Sequence, residues 1–552
     1  MHLFLELRLN PLIMDISPFM SKSADHSFGT LRSYFWPIYS HECGRVIPML
    51  LMAFLITFSY NILRTVKDAI VVTARGSGAE TIPFIKVWAL LPAALLLTFI
   101  FTRLASKLPR ERVFYIMMGG FLAFFSVFIF ILYPARAYLH PHETADYLLT
   151  ILPAGLKGFV AVFRNWTFTG YYVMAELWGN IILSVLFWGF INEVTNVRQA
   201  KRFYGLISTG LNFAGIFSGL LSIYFSNLIF DPRIPYGHDA WEQTLFLLIS
   251  TVLISGVIIL LLFRHLSKEL KSHNEREKIV PPKNKKKMSI RESIAYLAQS
   301  RYLLCIAFVV FAYNVVINLV EVLWKDQMKE LYPDPASYNI HMNYVTMNMG
   351  IVATCISLFV TGQTIRKFGW TIAALVTPAV LLIASTAFFA ALFLKTGAYD
   401  TTYALLGISP LYLVVISGSV HNVFCRGSKY TMFDITKEMA FIPLDPDEKR
   451  NGKAAIDGFG SRMGKSSGSI IHQTLLIFFG TLVASSVYVS IIVLSVIVVW
   501  IIATKALGKR FTLLNAAHEE EHDREEALRK SNKEAAIALE TKQNLTAQEQ
   551  IG

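Results

Sequence analysis

Lysines, arginines and glutamates recur inside apolar runs of this 552-residue chain, where an isolated charge is expensive. At mid-membrane a charged side chain costs about 2.5–3.5 kcal/mol on insertion scales, so it pairs with another charge or serves a function. Four runs carry polar residues at spacings of three and four, which places them on one helix face. They are Tyr60, Arg64, Lys67 and Asp68; then Asn165, Thr169, Tyr172, Glu176 and Asn180; then Asn314, Asn318, Glu321 and Lys325. The fourth holds Asn422, Arg426 and Lys429, with Phe433 on the same face. Stripes of this kind suit a cavity for a charged solute. The competing explanation is a helix-end anchor that snorkels to the interface, and it bears hardest on Asp68, Arg426 and Asp434, near the expected ends.

A fifth stretch, GFGSRMGKSSGS at 458–469, imitates a phosphate-binding loop. A true one reads GxxxxGK[ST] between a strand and a helix. Here Gly460 is one residue too close and Gly458 one too far, and the preceding GKAAID carries no strand pattern. Gly460, Gly464 and Gly468 instead form GxxxGxxxG, a smooth ridge against which another helix can pack. Beside it runs the series Lys453, Asp457, Ser461, Lys465, Ser469 and Gln473. From it Lys465 can reach a cavity as a phosphate ligand, or pair with Asp457 or Glu321.

The elements that position these residues follow from composition. Hydrophobic residues make up 54% and charged residues 16% of the chain, too apolar for a soluble protein of this length. Spans are expected near 47–66, 84–104, 112–134, 163–192, 203–228, 244–264, 302–324, 344–365, 371–394, 408–434, 455–480 and 484–505, as helices, because lipid leaves an open backbone no partner. Alternate links are basic, with Arg103, Lys107, Arg110 and Arg112; Arg198, Lys201 and Arg202; KNKKK at 283–287; and Arg366 and Lys367. That pattern puts both termini in the cytoplasm and accounts for most of the +13 net charge, so nucleic-acid binding is not expected. Four scattered cysteines form no CxxC or Cys/His cluster, so neither a metal nor another cofactor is expected. The start shows no basic n-region or convincing cleavage site, Met14 and Met20 are alternative starts, and the tail from about Asn515 reads as polar helix or disorder.

Six spans, a basic linker and six spans suggest a duplicated layout. NILRTVKD (61–68) parallels NLVEVLWKD (318–326), and TRLASKLPRER (102–112) occupies the place of TIRKFGW (364–370). The expected fold is an all-α polytopic membrane protein of 12 transmembrane helices in a 6+6 major-facilitator-like repeat. Its parts are an N-terminal segment 1–46, bundles 47–264 and 302–505, a linker 265–301 and a tail 506–552. In such a fold spans 1, 4, 7 and 10 line the central cavity, and these are the four that carry the stripes.

Several stretches carry a family resemblance: NILRTVKDAIVVTARGSGAETIPFIKVW (61–88), FRNWTF and AELWG (163–179), LFWGFINEVT (186–195), AKRFYGL (200–206), NLVEVLWKDQ (318–327), RKFGW (366–370), KYTMFDITKEMAFIPL (429–444) and GKAAIDGFGSRMGKSSGS (452–469). From about Ser33 to Lys509 the chain resembles the ATP/ADP translocase family of intracellular bacteria and plastids. The resemblance implies a twelve-helix nucleotide carrier whose functional charges fall on Lys67, Glu176, Glu321 and Lys465. One departure stands out: strict ATP/ADP exchangers read LRDTKD, whereas this chain reads LRTVKD, with Thr65 in place of an acid. The second half looks closer to chlamydial-type importers of nucleoside triphosphates.

The expected function is therefore transport of nucleoside tri- and diphosphates (ATP, GTP, CTP, UTP) across a bacterial inner membrane, by exchange or with protons; the alternative is strict ATP/ADP antiport. Lys67, Lys465, Arg64 and Lys429 would hold phosphates, which suit charge-assisted bonds from lysine and arginine. Tyr172, Asn318 or Phe433 would meet the base or sugar, and Glu176 and Glu321 would hold the cations or a proton. A membrane transferase or hydrolase would need paired acids; the one candidate, LDPDEK at 444–449, reads as a solvated loop. A purely structural membrane protein would not need charges on four cavity-lining helices.

Overall fold

The computed structural model describes residues 36, 38–195, 197–274, 300–397, 407–444, 446–456 and 461–549. Among these every long apolar run is helical and no strand occurs. Before the segment 275–299 come α1 (Cys43–Val72), α2 (Thr81–Lys107), α3 (Arg110–Leu132), α4 (Trp166–Asn192), α5 (Val197–Ser226) and α6 (Ala240–Asn274). After it come α7 (Arg301–Leu331), α8 (Pro335–Cys355), α9 (Gly362–Gly397), α10 (Pro410–Ser428), α11 (Ser461–Phe479) and α12 (Leu482–Glu549). The KNKKK run of the linker lies outside the described residues.

Eight helical stretches are long and apolar enough to cross a membrane. One is the 61-residue run Pro335–Lys395. It turns at Gly369, whose φ of 78° lies in the left-handed region that glycine enters without strain. α5, α10 and α11 fall short of that measure: only Gly210–Ser226 of α5 is apolar, α10 carries His421, Asn422 and Arg426, and α11 opens on the polar run SRMGKSSGS. The first span was expected to end near residue 66. α1 runs on to Val72, because Lys67 and Asp68 are paired and need not reach water.

Small residues let the helices meet. A Cβ on Gly464 of α11 would lie 2.8 Å from Asn314 Cβ and 3.0 Å from the Phe311 carbonyl oxygen, and one on Gly468 would lie 3.0 Å from Asn318 Cβ. The expected glycine ridge thus seats α11 directly on α7; Gly460 lies outside the described residues. Gly219 of α5 likewise sits against Met347 and the Asn343 carbonyl of α8. Asn339 at the start of α8 donates to Ser226 Oγ at the end of α5, at 3.0 Å.

The Asn339–Ser226 junction lies at the end of the bundle that bears the 73–80 and 332–334 turns. There α11 also meets the start of α2. Gln473 Nε2 donates to the Pro83 carbonyl at 2.9 Å, and Trp88 Nε1 donates to Gln473 Oε1 at 3.2 Å. Gly155, in the turn before the short helix Lys157–Arg164, fits under the backbone of Leu476 and Ile477. The two halves therefore close on one another at this end.

Candidate functional site

The four polar stripes converge. Lys67 Nζ on α1 lies 3.1 Å from Asp68 Oδ1 and 3.5 Å from Glu176 Oε2 on α4. Asp68 Oδ2 lies 2.8 Å from Lys325 Nζ on α7, across the two halves. Lys325 also lies 3.0 Å from Glu321 Oε1, and Glu321 Oε2 accepts from Arg426 Nη2 of α10 at 2.9 Å. The result is a continuous chain, Glu176–Lys67–Asp68–Lys325–Glu321–Arg426, in which acids and bases alternate and cancel. Buried ions are tolerated when paired and hydrogen-bonded in this way.

Sequence spacing placed Asp68 and Arg426 near span ends, as possible interfacial anchors. The structure places both inside. Asp68 is fully buried between two lysines, and the Arg426 side chain is bound to Glu321. Asp434 does lie on the following helix Asp434–Ala440, paired to Lys429 at 3.0 Å. Lys429 Nζ also stands 4.6 Å over the Tyr430 ring.

The remaining expected site residues distribute as follows. Tyr172 is buried, and its ring lies 3.8 Å below Lys67 Nζ, a cation–π contact that holds the ammonium. Asn318 donates to the Asn314 carbonyl at 2.7 Å and accepts from Lys86 Nζ at 2.5 Å. Arg64 is half-buried one helical turn before Lys67–Asp68, with no ion pair among the described residues. Lys465 belongs to α11, but its side chain lies outside the described residues, as does Asp457. Phe433 stacks on Tyr313 at 5.2 Å and meets Trp500 edge-on, so it packs within the second half.

Sequence reasoning missed Lys86 and gave no role to Lys325. Lys325 sat on the α7 stripe, which was the available signal. Lys86 stood alone in an apolar run. It belongs to a π-helical segment, Ile85–Leu90, and two other π segments flank the site: Gly179–Phe187 after Glu176, and Lys429–Phe433. Such widened turns often mark functional sites in helices. The α4 segment begins at Gly179, where a Cβ would lie 2.8 Å from the Tyr60 ring.

A separate cavity of about 360 Å³ opens at the closed end, lined by Arg75, Arg136, His140, His142, Asn165 and Asp239 among others. Its cations are matched: Arg136 pairs with Glu242, and Arg75 lies 3.8 Å from Asp146. Burial, with His142 and Arg136 nearby, pushes His140 down to about 4. The unfolded imidazole titrates near 6.5, so between these values the unfolded chain binds more protons than the folded one. Stability from this group is complete above about pH 6.5 and is lost as pH falls toward 4. We expect the thermal midpoint in detergent to drop across that window, and His140→Gln to flatten the slope. An unchanged slope in the variant would remove His140 as its source.

Among the described residues no group of three or more His, Cys, Asp or Glu is placed to hold a metal ion. The arrangement defines a multi-pass helical membrane protein with a charged centre. The same fold occurs in a bacterial homologue of the iron transporter ferroportin (TM-score 0.50, 11% identity, 87% of this chain and 100% of that one). It also occurs in a D-xylose-proton symporter (TM-score 0.50, 12% identity, 84% and 97%). The TLC ATP/ADP transporter family model matches residues 21–511, and the chain belongs to that family. It is 42% identical to ADP,ATP carrier protein 1 of Chlamydia muridarum over 94% of this chain and 98% of that one. To the chloroplastic ADP,ATP carrier protein 1 of Arabidopsis thaliana it is 41% identical over 88% and 76%.

Proposed function

We propose that this chain spans a bacterial inner membrane twelve times, termini inside, and carries nucleoside di- and triphosphates across it by alternating access. The observation that carries the reading is the buried charge chain joining α1, α4, α7 and α10, because it lies where two bundles enclose a solute. Family membership supports nucleotides as that solute. A nucleoside triphosphate brings about four negative charges, which lysine and arginine meet with charge-assisted hydrogen bonds.

On this reading the bundle is closed outside and open to the cytoplasm. Phosphates bind Lys67, Lys429, Arg64 and Lys465, and in doing so loosen the tie of Lys67 to Glu176 and that of Lys429 to Asp434. Without a ligand Lys67 and Lys429 stay locked to these acids, the halves reorient slowly, and exchange is favoured over net flux. Thr65 favours a second reading, uptake of several triphosphates as precursors. Its hydroxyl bonds the Ile62 carbonyl of its own helix at 3.2 Å, so it neutralises no cation where strict exchangers hold an acid.

Uptake of labelled ATP, GTP, CTP and UTP into expressing cells, with and without a proton uncoupler and followed by an ADP chase, separates the two. ATP uptake chased by ADP and blind to uncoupler means exchange alone. Uptake of several triphosphates with poor ADP chase means precursor import. In the same assay Glu321→Gln is expected to slow transport at least about tenfold, since one lost charge-assisted bond costs 1.5–3 kcal/mol. If it also abolishes the pH dependence, Glu321 carries the proton; unchanged rate and pH profile would remove Glu321 from the mechanism.

A further inference from the structure

We propose that Lys86 is a phosphate-binding residue at the margin of the central charge chain, an assignment that rests on the nucleotide-transport reading above. The six charges from Glu176 to Arg426 cancel among themselves. Lys86 stands outside that balance. Its Nζ meets one neutral acceptor, Asn318 Oδ1, at 2.5 Å, and among the described residues it has no ion pair. An ammonium has three N–H donors, so two remain for a ligand. Asn318 precedes Glu321 by one turn of α7, which holds the amine at the margin of the charge chain rather than within it. A phosphate oxygen is a far better partner than an amide oxygen, since charge-assisted hydrogen bonds are about twice as strong as neutral ones. An entering polyanion therefore displaces Asn318 from Lys86.

The residue is also held in place for this role. Gln473 grips α2 at Pro83 and Trp88, three residues before Lys86 and two after it. The neighbouring His472 Nε2 lies 3.0 Å from the Leu319 carbonyl oxygen, next to Asn318. α11 thus fastens α2 and α7 on either side of the Lys86–Asn318 contact. Because Lys86 belongs to the first half and Asn318 to the second, parting of the halves at this end breaks their contact and leaves the amine to the phosphate alone. Lys86 is then a residue that senses how many phosphates the nucleotide bears.

The test is binding of ATP, ADP and AMP to the purified full chain and to Lys86→Gln and Lys86→Arg. Glutamine can still donate to Asn318 but lacks the charge. Lys86→Gln is expected to weaken ATP at least about tenfold and AMP less than threefold, with arginine restoring most of the loss, as for a charge-assisted bond. Equal losses for all three nucleotides, or none, would overturn the assignment while leaving the transport reading intact. A second measurement needs no variant: ATP is expected to protect Lys86 of the wild-type chain from an amine-reactive reagent, and adenosine is not. Equal labelling with and without ATP in protein that binds ATP would likewise overturn it. Failure of the wild-type chain to bind any nucleotide would overturn the function itself, and this assignment with it.

Discussion

Asp68→Ala is expected to destabilise the protein by about 3–5 kcal/mol, the usual cost of breaking a buried ion pair by removing one partner. Asp68 is fully buried, with one carboxylate oxygen on Lys67 and the other on Lys325. Without it Lys67 keeps only Glu176, 3.5 Å away, and Lys325 must share Glu321 with Arg426. One positive charge is left buried without a partner. The thermal midpoint of the full chain in detergent reads the loss. The double variant Asp68→Asn with Lys325→Met restores the charge balance and is expected to recover most of the stability. It does not restore the tie between α1 and α7, so exchange in vesicles stays low. A single variant as stable as the wild type would show that this pair does not hold the halves together.

Gly155→Leu is expected to open the closed end. A Cβ at this position would lie 2.1 Å from the Leu476 carbonyl oxygen and 2.6 Å from Ile477 Cα. Both are backbone atoms of the opposite half, so no rotamer change relieves the clash. Overpacking of this kind costs about 1–3 kcal/mol. Spent against one of two conformations, that amount shifts their balance by about 5- to 150-fold. Exchange should fall by a similar factor. Spin labels across the closed end, on the turns at 73–80 and 332–334, should report longer distances, while nucleotide binding persists. Wild-type exchange together with unchanged label distances would mean that this contact is not part of the gate.

The sequence by itself picked out the four helices whose charges the fold brings together. Charges are so costly in an apolar run that Lys67, Glu176 and Glu321 stood out unaided, and the three-and-four spacing put each polar set on one face. The glycine ridge was legible for the same reason, since small residues four apart have few other uses in an apolar helix. Spacing along one helix says nothing of which other helix its face will meet. The pairing of Asp68 with Lys325, 257 residues apart, therefore had to come from the fold, and with it the choice between span-end anchor and interior pair for Asp68 and Arg426. Lys86 was hidden because it stands alone, with no polar neighbour at helical spacing, and because its π-helical turn shifts the face it presents. Gly155 looked like any turn glycine; what makes it matter is the backbone of α11 lying directly above it. Periodicity fixes the direction in which a side chain leaves its own helix, and only packing between helices decides what it finds there.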